Sequence, residues 1–196
     1  MSATARYTLA TMTVIGDRLA AAGFLHDDMD WSEKCGPPKD AEDFALEAIF
    51  VICNSGMQNK VARMIFDRVK PALLEGRSAR AGFNHVGKTT AIDAIWNHRE
   101  GLLVQYMAAE DKVEFCGSLP WIGPITKYHL AKNFGTQVAK PDVHLQRLAD
   151  LHGCTAQALC ERLSAETGLK IATVDLLLWR ACAEGIINSK TGEIRP

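Results

Sequence analysis

The sequence predicts an all-α fold, on three observations. Apolar residues recur at spacings of three and four along most of the 196 residues. Runs of β-branched residues long enough for a strand are nearly absent. Glycines, prolines and capping residues punctuate the pattern at intervals that suit roughly ten helices.

Residues 6–23 read as the first helix, with Leu9, Met12, Val14, Ile15 and Leu19 mostly on one stripe and Gly23 as the stop. A polar, acidic segment ending in Gly36-Pro37-Pro38 reads as a loop. Asp40 is the expected N-cap of a helix through Phe44, Leu46, Ile49, Phe50 and Ile52, which Asn54-Ser55-Gly56 breaks. Another helix runs from about Gln58 to Leu74. Two helices are expected at 87–99 and 101–110, separated by Gly101, and a short one at 112–116. Leu119-Pro120-Trp121-Ile122-Gly123 reads as a tight turn, and Pro124 opens a helix to Phe134. Three helices at 142–152, 155–167 and 171–184 follow, then a short polar tail from Asn188. The expected arrangement is a single unit over 1–196 with two lobes, one from about 1–55 and 142–196 and one from about 56–141, flanking a cleft.

With 47% hydrophobic residues and 22 basic against 23 acidic side chains, the composition excludes a disordered or low-complexity chain. No apolar run reaches the roughly 18 residues of a spanning helix, and Met1–Arg6 lacks the pattern of a secretory leader. Cysteines 35, 53, 116, 154, 160 and 182 are scattered without a CxxC pair, which predicts reduced thiols and a cytoplasmic location.

Charge is unevenly distributed. Residues 27–47 hold eight acids against Lys34 and Lys39, whereas 58–88 hold seven basic residues against Asp67 and Glu75. Residues 119–147 hold four basic residues and one acid, Asp142. Two positive stretches in a neutral chain suit a face that meets phosphates, although an ordinary solvated helix surface gives the same count. Gly82–Thr89 matches GxxxxGK[ST], but a phosphate-cradling loop must leave a buried strand, and Leu74–Ala81 cannot form one.

The informative stretch is Leu119–Thr126 followed by Lys140-Pro141-Asp142-Val143-His144-Leu145-Gln146-Arg147. A proline-stiffened hairpin leading into a helix presents backbone amides that can receive a phosphate. Asp142 stands 19 residues after Gly123 at a helix start, where the dipole favours a carboxylate. A capping residue is the plain reading of Pro-Asp at such a place.

Together these segments resemble the helix-hairpin-helix DNA glycosylase superfamily, whose signature is an LPGxGxxTA hairpin followed about 20 residues later by V-D-x-H-x-x-R. In this sequence Asp142, His144 and Arg147 fall in register with that signature. Ile52–Lys60 resembles the family loop that enters the minor groove, and Gly82-Phe83 with Lys88–Ile92 resembles the family's GF…K helix start. Val174–Trp179 is similar to its closing helix. The Asn-Ser-Gly-Met and Lys-Pro-Asp strings look like a phage-associated offshoot linked to hypermodified pyrimidines, of the α-glutamyl/putrescinyl thymine pyrophosphorylase type.

The resemblance implies a monomeric enzyme of a bacterial or phage-infected cell acting on double-stranded DNA that carries a modified base. Asp142 is the implied catalytic carboxylate, with Lys140 and His144 as further candidates. Asn54, Ser55, Gly56, Met57, Gln58, Trp121, Ile122, Gly123, Ile125, Thr126 and Lys127 are the implied DNA contacts. Met57 or Gln58 would fill the gap left by a flipped nucleotide. No cofactor is implied beyond a monovalent cation at the hairpin. Three departures shape the expectation. Ile125 stands where bifunctional members carry a Schiff-base lysine, which implies a monofunctional enzyme. The four-cysteine iron–sulfur loop is missing, and Trp121 replaces the usual hairpin glycine. The alternatives are a transferase acting on a thymine 5-substituent and a DNA-binding module without catalysis. Trp31, Trp121, Tyr128 and Phe134 are candidates for stacking on a base, and core packing is their ordinary role.

Overall fold

A computed structural model describes residues 7–195. The expected start of the first helix at Arg6 and the segment Met1–Ala5 lie outside the described residues. Ten α-helices are present among the described residues: α1 Leu9–Ala21, α2 Leu25–Lys34, α3 Ala41–Asn54, α4 Asn59–Leu74, α5 Val86–Ala108, α6 Lys112–Ser118, α7 Thr126–Asn133, α8 Val143–Leu151, α9 Ala156–Thr167 and α10 Ile171–Ala183. A 3-10 turn covers Ala79–Ala81, and a two-residue antiparallel pair joins β1 (Ile187–Asn188) to β2 (Glu193–Ile194). The protein is all-α, and no helix among the described residues is long and apolar enough to cross a membrane.

Local chemistry sets the helix ends. Asp40, Asp111, Asp142 and Thr155 each accept a backbone N–H in the first turn that follows them. Three C-termini are closed by lysines from elsewhere in the chain or just beyond the helix. Lys170 Nζ donates to the carbonyls of Glu33 and Cys35 after α2, and Lys88 Nζ to those of Cys53 and Ser55 after α3. Lys112 Nζ donates to the carbonyls of Tyr106, Met107 and Ala109 at the end of α5. An ammonium at the negative end of a helix satisfies orphan carbonyls and complements the dipole.

Four expectations are corrected. The acidic segment after Gly23 contains a helix, α2, because Leu25 and Met29 pack on a core that includes α10 and Arg180 Nε donates to Asp28 Oδ2 at 2.7 Å. Tertiary partners there outweigh a weak local pattern. The two helices expected at 87–99 and 101–110 are one helix, α5, ending at Ala108, since Gly101 sits at an exposed position without breaking the ladder. The polar C-terminal tail contains the β1–β2 hairpin, which Tyr7 Oη fastens by donating to Gly192 O at 3.0 Å. Finally, α3 groups with the central helices rather than with the terminal ones, because its neighbours are α4 and α5.

The chain divides into two compact units at 36/37 and 134/135. The first holds α1, α2, α8, α9, α10 and the hairpin around Ile15, Leu19, Leu145, Leu148, Leu159, Leu163, Val174 and Leu178. The second holds α3 to α7. Part of its core is aromatic, with Phe44 stacked on Phe134 at 5.2 Å between ring centroids and Tyr106 at 4.9 Å from Phe134. All six cysteines are free thiols.

Candidate functional site

Asp142 is placed by a pinned strap. Ahead of α8, Ala139 N donates to Gln157 Oε1 at 2.7 Å and Lys140 N donates to the buried Asp175 Oδ1 at 3.0 Å. The chain therefore reaches Asp142 in a fixed extended path, φ −78° and ψ 175°. Its Oδ1 accepts the amides of His144 at 3.0 Å and Leu145 at 3.1 Å, and its Oδ2 lies 3.6 Å from Lys140 Nζ. The carboxylate is thus a cap and one half of an ion pair at once, and the two side chains retain 15% and 23% of their exposure. His144 Nδ1 is 3.1 Å from Ser189 Oγ of the C-terminal hairpin. Lys140, Asp142 and His144 are all in the first unit. Cys182 lies beside them on α10. Burial, and secondarily the Asp142 charge, pushes its thiol up to about 12, so it is a neutral lining group.

The loop 54–58 belongs to the second unit, between α3 and α4. Asn54, Ser55 and Met57 are half-buried, and Gly56 and Gln58 are exposed. Lys88 fixes its base. This side chain is only 3% exposed, and its Nζ donates to Cys53 O at 3.1 Å and Ser55 O at 2.6 Å. Burial lowers the ammonium from the usual lysine range and raises the neighbouring Cys53 thiol to about 11. The lysine of the GxxxxGK[ST] string is therefore spent on helix closure. The residues before it form a 3-10 turn, and Gly82 packs on the backbone of Arg68, where a Cβ would lie 2.6 Å from its carbonyl carbon.

The hairpin also lies in the second unit. Ile122 N donates to Leu119 O at 3.1 Å, closing a turn with Pro120 second and Trp121 third. Trp121 has φ 66°, the left-handed conformation that favours glycine at that position. Its ring lies against Gly87 in the first turn of α5, and a Cβ there would meet Trp121 Cζ3 at 2.4 Å. His85, the N-cap of α5, meets the same ring edge-on at 5.3 Å. Trp121 and Ile125 are exposed, Gly123, Thr126 and Lys127 half-buried, and Ile122 buried. Gly123 N donates to Thr126 Oγ1 at 2.7 Å. Lys127 is ion-paired to Glu114 of α6, which holds its ammonium above the usual range.

The carbonyls of Leu119 and Gly123 already accept amides. Of the stacking candidates, Phe134 is a core residue at 4% exposure, Trp31 is exposed, and Tyr128 is half-buried with Lys127 Nζ 5.5 Å from its ring centroid. Sequence reasoning missed Ser189, Gln157, Asp175 and the closing role of Lys88. None of these carries a local signal, because each acts on residues far along the chain. No protein-family model, curated protein or solved structure matches the chain.

Proposed function

We propose that the chain is a monofunctional DNA glycosylase that extrudes a modified base and cleaves its N-glycosidic bond. The observation that carries this reading is the pinned Asp142 carboxylate, held by two amides and facing Lys140. Cleavage of a glycosidic bond develops positive charge on the deoxyribose, and a fixed negative charge beside it lowers the barrier without reorganisation. Asp142 supplies that charge and orients the attacking water. Lys140 balances the carboxylate while the site is empty and is available to a phosphate when DNA binds.

The loop 54–58, closed by Lys88, supplies the wedge, and the backbone amides of Ile125 and Thr126 at the start of α7 take a phosphate. With Ile125 at the hairpin and Lys127 paired to Glu114, no hairpin amine is offered to the sugar, which fits hydrolysis without strand cleavage. The test incubates the purified protein with DNA from phages carrying different modified pyrimidines, with mass spectrometry of the strand and the supernatant. A free base together with an alkali-labile abasic site supports excision. An intact strand with altered nucleoside mass replaces this reading by transfer onto a thymine 5-substituent. Salt-dependent binding that Asp142→Asn leaves unchanged, with neither product, leaves a DNA-binding module.

A further inference from the structure

We propose that His144, rather than Asp142, receives the proton of the attacking water, and that Ser189 on the C-terminal hairpin positions its ring for that task; the inference rests on the glycosylase reading. Asp142 is already committed. Its Oδ1 accepts two amides that start α8, and its Oδ2 faces an ammonium 3.6 Å away, so a proton arriving there would disturb the cap, the ion pair or both.

His144 is two residues further on and half-buried. Its Nδ1 lies 3.1 Å from Ser189 Oγ, while its Nε2 has no hydrogen-bond partner among the described residues. A ring whose Nδ1–H donates to Ser189 Oγ keeps a lone pair on Nε2, which is the arrangement a general base requires.

Ser189 is suited to hold the ring because it does not move freely. It is 7% exposed, and the hairpin that carries it is closed by Gly192 N donating to Asn188 O at 2.8 Å and Arg195 N donating to Ile186 O at 2.9 Å. Tyr7 Oη donates to Gly192 O at 3.0 Å and ties the same turn to the chain two residues before α1. Burial holds that phenol well above its ordinary range, so it remains a donor at any physiological pH.

In the step itself the water oxygen bonds to C1′ and the C1′–N electron pair leaves with the base. The water proton passes to His144 Nε2, and the anionic charge of the carboxylate is unchanged. The imidazolium then gives its proton to solvent, and the departing base takes one from solvent.

The test begins with the free protein. Long-range 15N–1H correlation on histidine-labelled protein is expected to show the His144 proton on Nδ1, which is the less populated form of free imidazole. Ser189→Ala should return the ring to the Nε2–H form, and Ser189→Thr, which keeps the hydroxyl, should restore Nδ1–H. A wild-type ring protonated on Nε2 overturns the assignment. On the phage DNA that yields a free base, Ser189→Ala should lower the rate of release about tenfold and His144→Gln about a hundredfold, with KM unchanged. Release at the wild-type rate by a folded His144→Gln variant also overturns it. If the Nδ1–H form is found but no base is ever released, the glycosylase reading fails and the proton-acceptor role fails with it, while the Ser189 contact itself stands.

Discussion

Asp111 and Asp142 begin their helices in the same way and differ in everything around them. Each offers one oxygen to two successive amides, at 2.9 Å to Val113 and Glu114 in one case and at 3.0 and 3.1 Å to His144 and Leu145 in the other. Each also sits near a buried cysteine, Cys116 or Cys182, whose thiol is pushed up to about 12 by burial first and the aspartate second. The neighbouring lysines separate them. Lys112 turns back to close α5 and makes no ion pair with the exposed Asp111, whereas Lys140 faces the half-buried Asp142. A capped helix start is therefore a structural device in both units, and it becomes a candidate for chemistry only where a pinned strap and a counter-charge hold the second oxygen.

The sharpest way to break the comparison is to neutralise both carboxylates. Asparagine caps a helix about as well as aspartate, so Asp111→Asn should change stability by less than about 0.5 kcal/mol, while Asp142→Asn, which also removes the counter-charge of Lys140, should cost about 1 kcal/mol. In single-turnover base release, Asp142→Asn should lose about 10²–10³-fold while Asp111→Asn stays at the wild-type rate. Equal rates for the two variants would make Asp142 a cap and nothing more.

The next effect is on folding of the second unit. Gly82→Ala places a methyl 2.6 Å from the Arg68 carbonyl, and denaturant unfolding should report a loss of about 2–3 kcal/mol. A smaller pair of effects separates the two closing lysines of that unit. Lys88→Met and Lys112→Met should each cost about 1–2 kcal/mol by leaving carbonyls unpaired. Fluorescence anisotropy with duplex DNA should weaken for Lys88→Met only, because only Lys88 supports the loop 54–58.

The smallest effect concerns Glu47, a carboxyl of the second unit that is half-buried within α3 rather than capping. Burial foremost raises it above the ordinary carboxylate range, against the hydrogen bond from Asn133 Nδ2 and the charge of Arg63, with Asp43 adding to the rise. A raised acid contributes stability below its unfolded value, about 4.3, and loses it as pH climbs through the folded value. The contribution of Glu47 to the unfolding free energy should therefore decline over that window in the wild type. Glu47→Gln should flatten the decline in urea melts taken between pH 4 and pH 7.

The parts of this molecule that are legible in sequence are those that depend on neighbours in the chain. The cap at Asp40, the stop after Leu74 and the Pro-Asp start of α8 are set within a few residues and were readable. Gly101 was misread as a break because a single glycine weakens a helix by only about 1 kcal/mol, which a 23-residue helix absorbs. Helix α2 was hidden because its stabilising contacts, Asp28 with Arg180 and Glu33 with Thr173, bridge more than a hundred residues. The candidate site divides along the same line. Asp142 and the hairpin could be found by spacing, while Ser189, Gln157 and Asp175 act through folded proximity.

The contact between Trp121 and Gly87 makes two positions hostage to one another across 34 residues of chain. A side chain at 87 is barred while the indole lies there, and a lineage that reverted 121 to glycine would free 87 to drift. Directed evolution of this chain should therefore recover changes at 87 only in company with a change at 121, so that the order in which the two mutations arrive is fixed by sterics.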